Sequence, residues 1–306
     1  MFQKILRNSL LDLLIIFLIL IINLFWLPTY SFWSIYPKDN IVVQNYQLIN
    51  TKTPKIPIIK LASKPNLSTS NYILVDVDTN KILLSQNIDQ KIYPASTTKL
   101  ATALTALNLY PLDEVVTVNQ EYKIGKVMNL KLNEKIIVKS LVSALLVYSA
   151  NDSAYALASH YKSGLKDFIN QMNLLMEKYN LKNTHFINVD GIHDDNHYST
   201  VFDLAQLGRL SIKNPIVSEV VKTQNLVVSD IDNKIFHPLT STNELLGVVP
   251  EIKGLKTGWT KEAKGSFIGL IDINGHLVIS VVSQSDDRFA DTKILVDWLK
   301  QNVAWN

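Results

Sequence analysis

Two strand–turn–strand signatures bracket most of this chain, and they limit its fold more than any other feature. Tyr72–Asp78 and Lys81–Ser85 flank Thr79-Asn80, which reads as a hairpin. Near the other end, Ser266–Ile273 and His276–Ser283 flank Asn274-Gly275, a dipeptide suited to a two-residue turn with positive φ at both positions. Between these hairpins the apolar spacing changes to three and four, the period of helices. Ser96–Leu109 predicts a helix with Pro94 just ahead of it. Val138–His160 predicts a buried helical stretch, and Asp167–Tyr179 and Val201–Ile212 predict two more. A last amphipathic helix starts at Asp287, with Ile294, Leu295, Trp298 and Leu299 on the face read as packing on the sheet. Strands at both ends with helices inserted between them imply an α/β sandwich, its sheet largely antiparallel and flanked by helices.

The amino end has a different texture. Lys4 and Arg7 precede Leu13–Leu27, a run that is apolar except for Asn23. A helix of about 18–20 residues can just span a bilayer core, and Tyr30, Phe32 and Trp33 suit the far interface. A cleaved signal peptide is the alternative. The first alanine is Ala62 and the first glycine Gly125, which leaves Thr29, Ser31 and Ser34 to form a cleavage site. Both readings export the rest of the chain. The expected organisation is a cytoplasmic tail at 1–8, a transmembrane signal-anchor at 9–28, an extracytoplasmic linker at 29–70 punctuated by prolines, and a folded domain at 71–306. The chain contains no cysteine, which excludes disulfides, cysteine nucleophiles and thiolate metal sites. Its net charge of +3 is scattered, without the basic patch that a nucleic-acid binder needs.

Three short motifs carry candidate chemistry. In Ser96-Thr97-Thr98-Lys99 the helical spacing puts the ammonium beside the hydroxyl. A desolvated lysine there could accept the serine proton. Ser159-His160-Tyr161-Lys162 and Ser163-Gly164-Leu165-Lys166 share this pattern, so it singles out nothing alone. In Ser149-Ala150-Asn151 a hydroxyl and an amide can jointly relay a proton and hold a carbonyl. Ser85-Gln86-Asn87 and Ser241-Thr242-Asn243 share the spacing and read as structural. Lys256-Thr257-Gly258 occurs once. Its lysine and threonine can bind a carboxylate, and its glycine lets a substrate backbone approach a strand edge.

The set S-x-x-K, S-x-N and K-T-G, in this order, resembles that of penicillin-binding proteins and class A β-lactamases. The surrounding residues resemble the low-molecular-mass serine DD-carboxypeptidases: Tyr93–Lys99, Leu146–Ala154, Asn183–Phe186, Asp190–Ile192, Tyr198–Thr200 and Thr242–Leu246. The resemblance runs from about Tyr72 to Trp298. It implies a β-lactamase/transpeptidase-like fold with an inserted helical subdomain, acting on peptidoglycan stem peptides that end in D-Ala-D-Ala. It further implies that Ser96 attacks the penultimate D-alanine carbonyl, Lys99 takes the serine proton and Ser149 protonates the departing D-alanine. Asn151 would hold the peptide, Lys256 and Thr257 the terminal carboxylate, and the backbone N–H groups of Ser96 and Trp259 the oxyanion. Gly258 completes the substrate-binding strand. β-Lactams would acylate Ser96, and no metal or organic cofactor is implied. Departures from the family pattern are Asn133 in place of a turn glycine and the lack of a cysteine in Ala263–Phe267. The chain also ends too soon for a carboxy-terminal β domain and anchor, a role the amino-terminal helix would take.

Three rival readings remain. A class A β-lactamase needs an E-x-x-L-N loop motif; the nearest candidate, Glu177-Lys178-Tyr179-Asn180, reads as a surface helix end. His193 and His197 have a spacing that could chelate zinc on a helix, but Gly191 and the run Asp194-Asp195-Asn196 read as a solvated loop. The third is a wall-binding protein that has kept the fold and lost turnover.

Overall fold

The computed structural model describes residues 54–60 and 62–306. The readings of a cytoplasmic tail, a signal-anchor and the first part of the linker lie outside them. In chain order the described elements are β1 (Pro57–Ile59), β2 (Asn71–Asp76), β3 (Ile82–Gln86), a 3₁₀ turn (Ala95–Thr98), α1 (Lys99–Leu109), β4 (Val115–Thr117) and β5 (Lys135–Ile137). There follow α2 (Val138–Val147), α3 (Asn151–Ser159), α4 (Gly164–Lys178), α5 (Val201–Ile212), α6 (Pro215–Val220), β6 (Asn225–Ser229) and β7 (Phe236–Thr240). The chain closes with β8 (Ile252–Thr260), β9 (Lys264–Ile273), β10 (His276–Ser285), α7 (Arg288–Asn302) and β11 (Val303–Trp305).

Five strands form one antiparallel sheet in the order β3-β2-β10-β9-β8. Both expected hairpins are present in it, the second turning on Asn274 and Gly275 at φ 54 and 86. Side chains alternate across a strand, and here the alternation separates two cores. Ile73, Val75, Ile268, Leu270, Ile279 and Val281 face α5 and the helical region. Tyr72, Leu74, Phe267, Ile271, Val278 and Val282 face α7. The sheet is therefore buried on both faces, the α/β arrangement expected. Within the helical region α1 is buried almost all round and packs against α2, α3, α4 and α5. A buried pair, His237 Nε2 on Glu134 Oε1 at 2.7 Å, ties β7 to the loop before β5. That hydrogen bond raises the His237 pKa.

Three expectations need correction. Val138–His160 is two helices, because Ser149 adopts a left-handed conformation with φ 67 between them. The Asn151 N–H then bonds to Lys126 O at 2.7 Å rather than back along α2. Residues from Pro54 to Ser70 were read as linker, yet β1 pairs with β11 and Ser68 donates N–H and Oγ to the buried Asp291 carboxylate at 2.8 and 2.7 Å. Prolines broke the periodicity there, but pairing with a distant strand needs none. Of the four residues placed on the inner face of α7, Ile294 is exposed while Leu295, Trp298 and Leu299 are buried.

Candidate active site

Ser96 lies in the 3₁₀ turn rather than in the α-helix expected to begin there. Pro94 starts the turn, Ala95 has φ 48, and Thr97 closes it with Oγ1 on Pro94 O at 2.6 Å. In a 3₁₀ turn residues i and i+3 eclipse, which brings the Lys99 Nζ to 2.9 Å from the Ser96 Oγ. Lys99 is fully buried, and its Nζ also donates to Asp190 O at 2.6 Å. Burial lowers its pKa to about 8, against the raising field of Asp190.

The loop carrying Asp190 is held from several sides. Asn188 clasps it through Gly191 N and Ile192 O, and Thr102 Oγ1 donates to Val189 O at 2.7 Å. Tyr122 donates its hydroxyl to Asp190 Oδ2 at 3.1 Å. Gly191 has φ +86, and a Cβ there would stand 1.9 Å from Ala95 O, so this loop can meet the 3₁₀ turn only with glycine. His197 accepts the Ile187 N–H on Nδ1 and meets Thr98 Oγ1 through Nε2 at 2.8 Å. It is 1% exposed, and burial lowers its pKa to about 3. The solvated-loop reading of 193–197 therefore fails at His197, a neutral strut between the loop and the 3₁₀ turn. Among the described residues no group of three or more His, Cys, Asp or Glu could hold a metal ion.

The second motif lies at the α2–α3 break. Ser149 and Asn151 are both 6% exposed and line the same cavity as Ser96, of about 280 Å³. Asn151 donates one side-chain N–H to Ile124 O at 2.9 Å. Asp152 accepts the N–H groups of Met128 and Leu130. The Asn-Asp pair thus clamps the loop 124–130 against the start of α3. Further along that loop Asn133, the departure from a turn glycine, keeps the left-handed φ of 65 that asparagine tolerates.

β8 is an edge strand and brings the third motif to the cavity. Thr257, Gly258 and Trp259 line it, with Trp259 63% exposed at the rim. A Cβ on Gly258 would fall 2.9 Å from Ser96 N and 3.0 Å from Ala95 Cβ. This glycine clears the 3₁₀ turn that carries Ser96, a role the sequence reading of Gly258 does not include. Lys256 is buried, does not line the cavity, and donates to Thr257 O at 3.0 Å. Burial pushes its pKa well down, and the charges of Lys99, Lys126 and Arg288 push it further. Of these basic residues, Lys126 and Arg288 line the cavity itself.

Sequence reasoning missed several cavity residues. Arg288, at the start of α7, is half-buried in the wall, and its Nε has no hydrogen-bond partner among the described residues. Thr242, read as structural, meets Thr257 Oγ1 at 2.7 Å. Lys126, Gly125, Ile192 and Thr260 also line the cavity. Only Thr242 and Ile192 had a signal, the family-like segments that contain them. The other two Ser-x-x-Lys matches lie elsewhere, at the end of α3 and the start of α4. Glu177, the β-lactamase candidate, is an exposed residue of α4 outside the cavity.

Comparison with known proteins agrees with this geometry. The D-alanyl-D-alanine carboxypeptidase family matches residues 59–287, and the chain belongs to that family. The D-alanyl-D-alanine carboxypeptidase DacD of Escherichia coli is 30% identical over 78% of this chain and 65% of its own length. DacF of Bacillus subtilis is 29% identical over 63% of this chain and 51% of its own length. The chain thus spans about half to two thirds of these relatives. The D-alanyl-D-alanine endopeptidase of E. coli is 31% identical over 78% of this chain and 79% of its length. In structure, the Streptomyces K15 DD-transpeptidase superposes with a TM-score of 0.73 at 29% identity, covering 78% of this chain and 98% of that one. The fold is therefore that of the penicillin-binding transpeptidases, as the motif order implied.

Proposed function

We propose that this protein is a serine DD-carboxypeptidase that removes the terminal D-alanine from peptidoglycan stem peptides. The observation that carries this reading is the buried Lys99 ammonium at 2.9 Å from Ser96 Oγ, in one cavity with Ser149, Asn151 and Thr257. Neutral Lys99 takes the proton as Ser96 Oγ attacks the penultimate D-alanine carbonyl. The oxyanion is met by the backbone N–H groups of Ser96 and Trp259, and the close approach of Gly258 to Ser96 N supports that pairing. The C–N bond breaks as Ser149 passes a proton to the leaving amine, and water then hydrolyses the ester on Ser96. Asn151 holds the peptide with its second side-chain N–H. Thr257 and Arg288 take the terminal carboxylate directly, while Lys256, buried behind them, donates to Thr257 O at 3.0 Å and holds that strand position. The domain works outside the cytoplasm, tethered or exported by the segment at 9–28.

Intact mass after incubation with a penicillin tests the nucleophile. A single adduct is expected on the protein, and none on Ser96→Ala. D-alanine release from a pentapeptide, lost in the same variant, tests the reaction itself. A wild-type protein that forms no adduct and releases no D-alanine would overturn the proposal.

A further inference from the structure

Two basic side chains line the cavity, Arg288 and Lys126, and a single terminal carboxylate needs only one of them. Arg288 lies on the sheet side, at the start of α7. Lys126 lines the other wall, beside Asn151. No carboxylate lies within salt-bridge distance of Lys126 among the described residues, although its neighbour Lys123 pairs with Glu121 at 2.9 Å. Its ammonium stands 4.2 Å from the centroid of the Tyr148 ring. An aromatic face orients a cation without neutralising it, while partial burial lowers the Lys126 pKa, a cost that an arriving anion would offset.

The backbone beneath Lys126 is fixed by the second motif. Lys126 O accepts the Asn151 N–H at 2.7 Å, and Met128 N donates to Asp152 Oδ1 at 3.1 Å. Gly125 has φ +71, and a Cβ there would lie 2.5 Å from Asn151 Nδ2. An exposed lysine on a surface loop usually contributes little, because ordering it costs entropy. Here the main chain is already ordered and the ring already directs the side chain, so less is lost when an anion arrives. Lys126 also counts among the charges that depress the pKa of Lys256, so its field reaches into the cleft.

We infer that Lys126 forms a second anion subsite, selecting peptides that carry an additional carboxylate upstream of the D-Ala-D-Ala end, along the wall beside Asn151. This rests on the DD-peptidase reading and adds a specificity determinant to it. The probes are two synthetic peptides ending in D-Ala-D-Ala that differ only in a free carboxylate or a carboxamide on the residue preceding that dipeptide. D-alanine release gives kcat/KM for each. The wild-type protein is expected to favour the carboxylate about threefold to fivefold at low salt, the range of a rim ion pair. That preference should shrink as ionic strength rises. Lys126→Gln should bring the ratio to about one, and Lys126→Glu should invert it, whereas Lys126→Arg should retain it. A side chain that only packs on Tyr148 would change both peptides alike. A ratio blind to charge at residue 126, with D-alanine still released, overturns the subsite and leaves the reaction standing. Failure to release D-alanine from either peptide, with no penicillin adduct, overturns both.

Discussion

Lys99 has no contact with solvent, and its ammonium meets one hydroxyl and one backbone carbonyl. Burial disfavours the charged form, which is why its pKa falls to about 8 while Asp190 resists the fall. Only the neutral amine has a lone pair for the Ser96 proton, and its population grows as pH rises. The rate of acylation by a penicillin should therefore climb with pH through about 8 and level off above it. Stopped-flow acylation between pH 6 and 10 checks this, and a flat or falling profile would rule out Lys99 as the base. Lys99→Arg keeps charge and hydrogen bonds but cannot become neutral; it should lose roughly 10²–10⁴-fold in acylation rate. The residue type and spacing were legible in the sequence. So was a desolvated lysine as base, but its full burial and its partner Asp190, 91 positions along the chain, were not.

Among elements, the contact between β8 and the 3₁₀ turn matters most. The edge strand and the turn approach until a methyl group no longer fits, with Gly258 facing Ser96 N at 2.9 Å for a virtual Cβ. Gly258→Ala should push the strand away from the turn and separate the two proposed oxyanion donors, the N–H groups of Ser96 and Trp259. Because a misplacement near 1 Å can cost about 10²-fold, acylation should slow by roughly ten- to a hundredfold. Circular dichroism should show the fold intact, and acylation at the wild-type rate would mean the contact tolerates the methyl. The hairpins were legible here because turn chemistry is local. The break between α2 and α3 was not, since a left-handed serine followed by a long-range bond to Lys126 O leaves the apolar spacing on both sides unchanged.

Across the whole molecule, the two ends of the described chain hold each other. β1 lies beside β11, Lys60 N donates to Asn302 O at 2.9 Å, and Trp298 Nε1 donates to Ser63 O at 3.1 Å. Asp291, 2% exposed, takes hydrogen bonds from Ser68 and Ser285. A chain starting at Asn71 leaves that carboxylate with fewer partners in a buried place, which costs a few kcal/mol. Its Tm should fall by about 5–10 °C relative to a chain starting at Thr53, as differential scanning calorimetry would record; equal values would mean that residues 54–70 are a linker after all. By itself the sequence determined the class of fold, the two bracketing hairpins, the main helical stretches between them and the three motifs with Ser96, Lys99, Ser149, Asn151, Lys256 and Thr257. These follow from local periodicity, turn chemistry and motif spacing. Only the tertiary structure decided that Lys99 is buried against Ser96 and Asp190 O, that Arg288 and Lys126 share their cavity, and that His197 is a buried strut. Which side chains meet, and which lose their water, depends on contacts between segments far apart in the chain, and no local pattern records those.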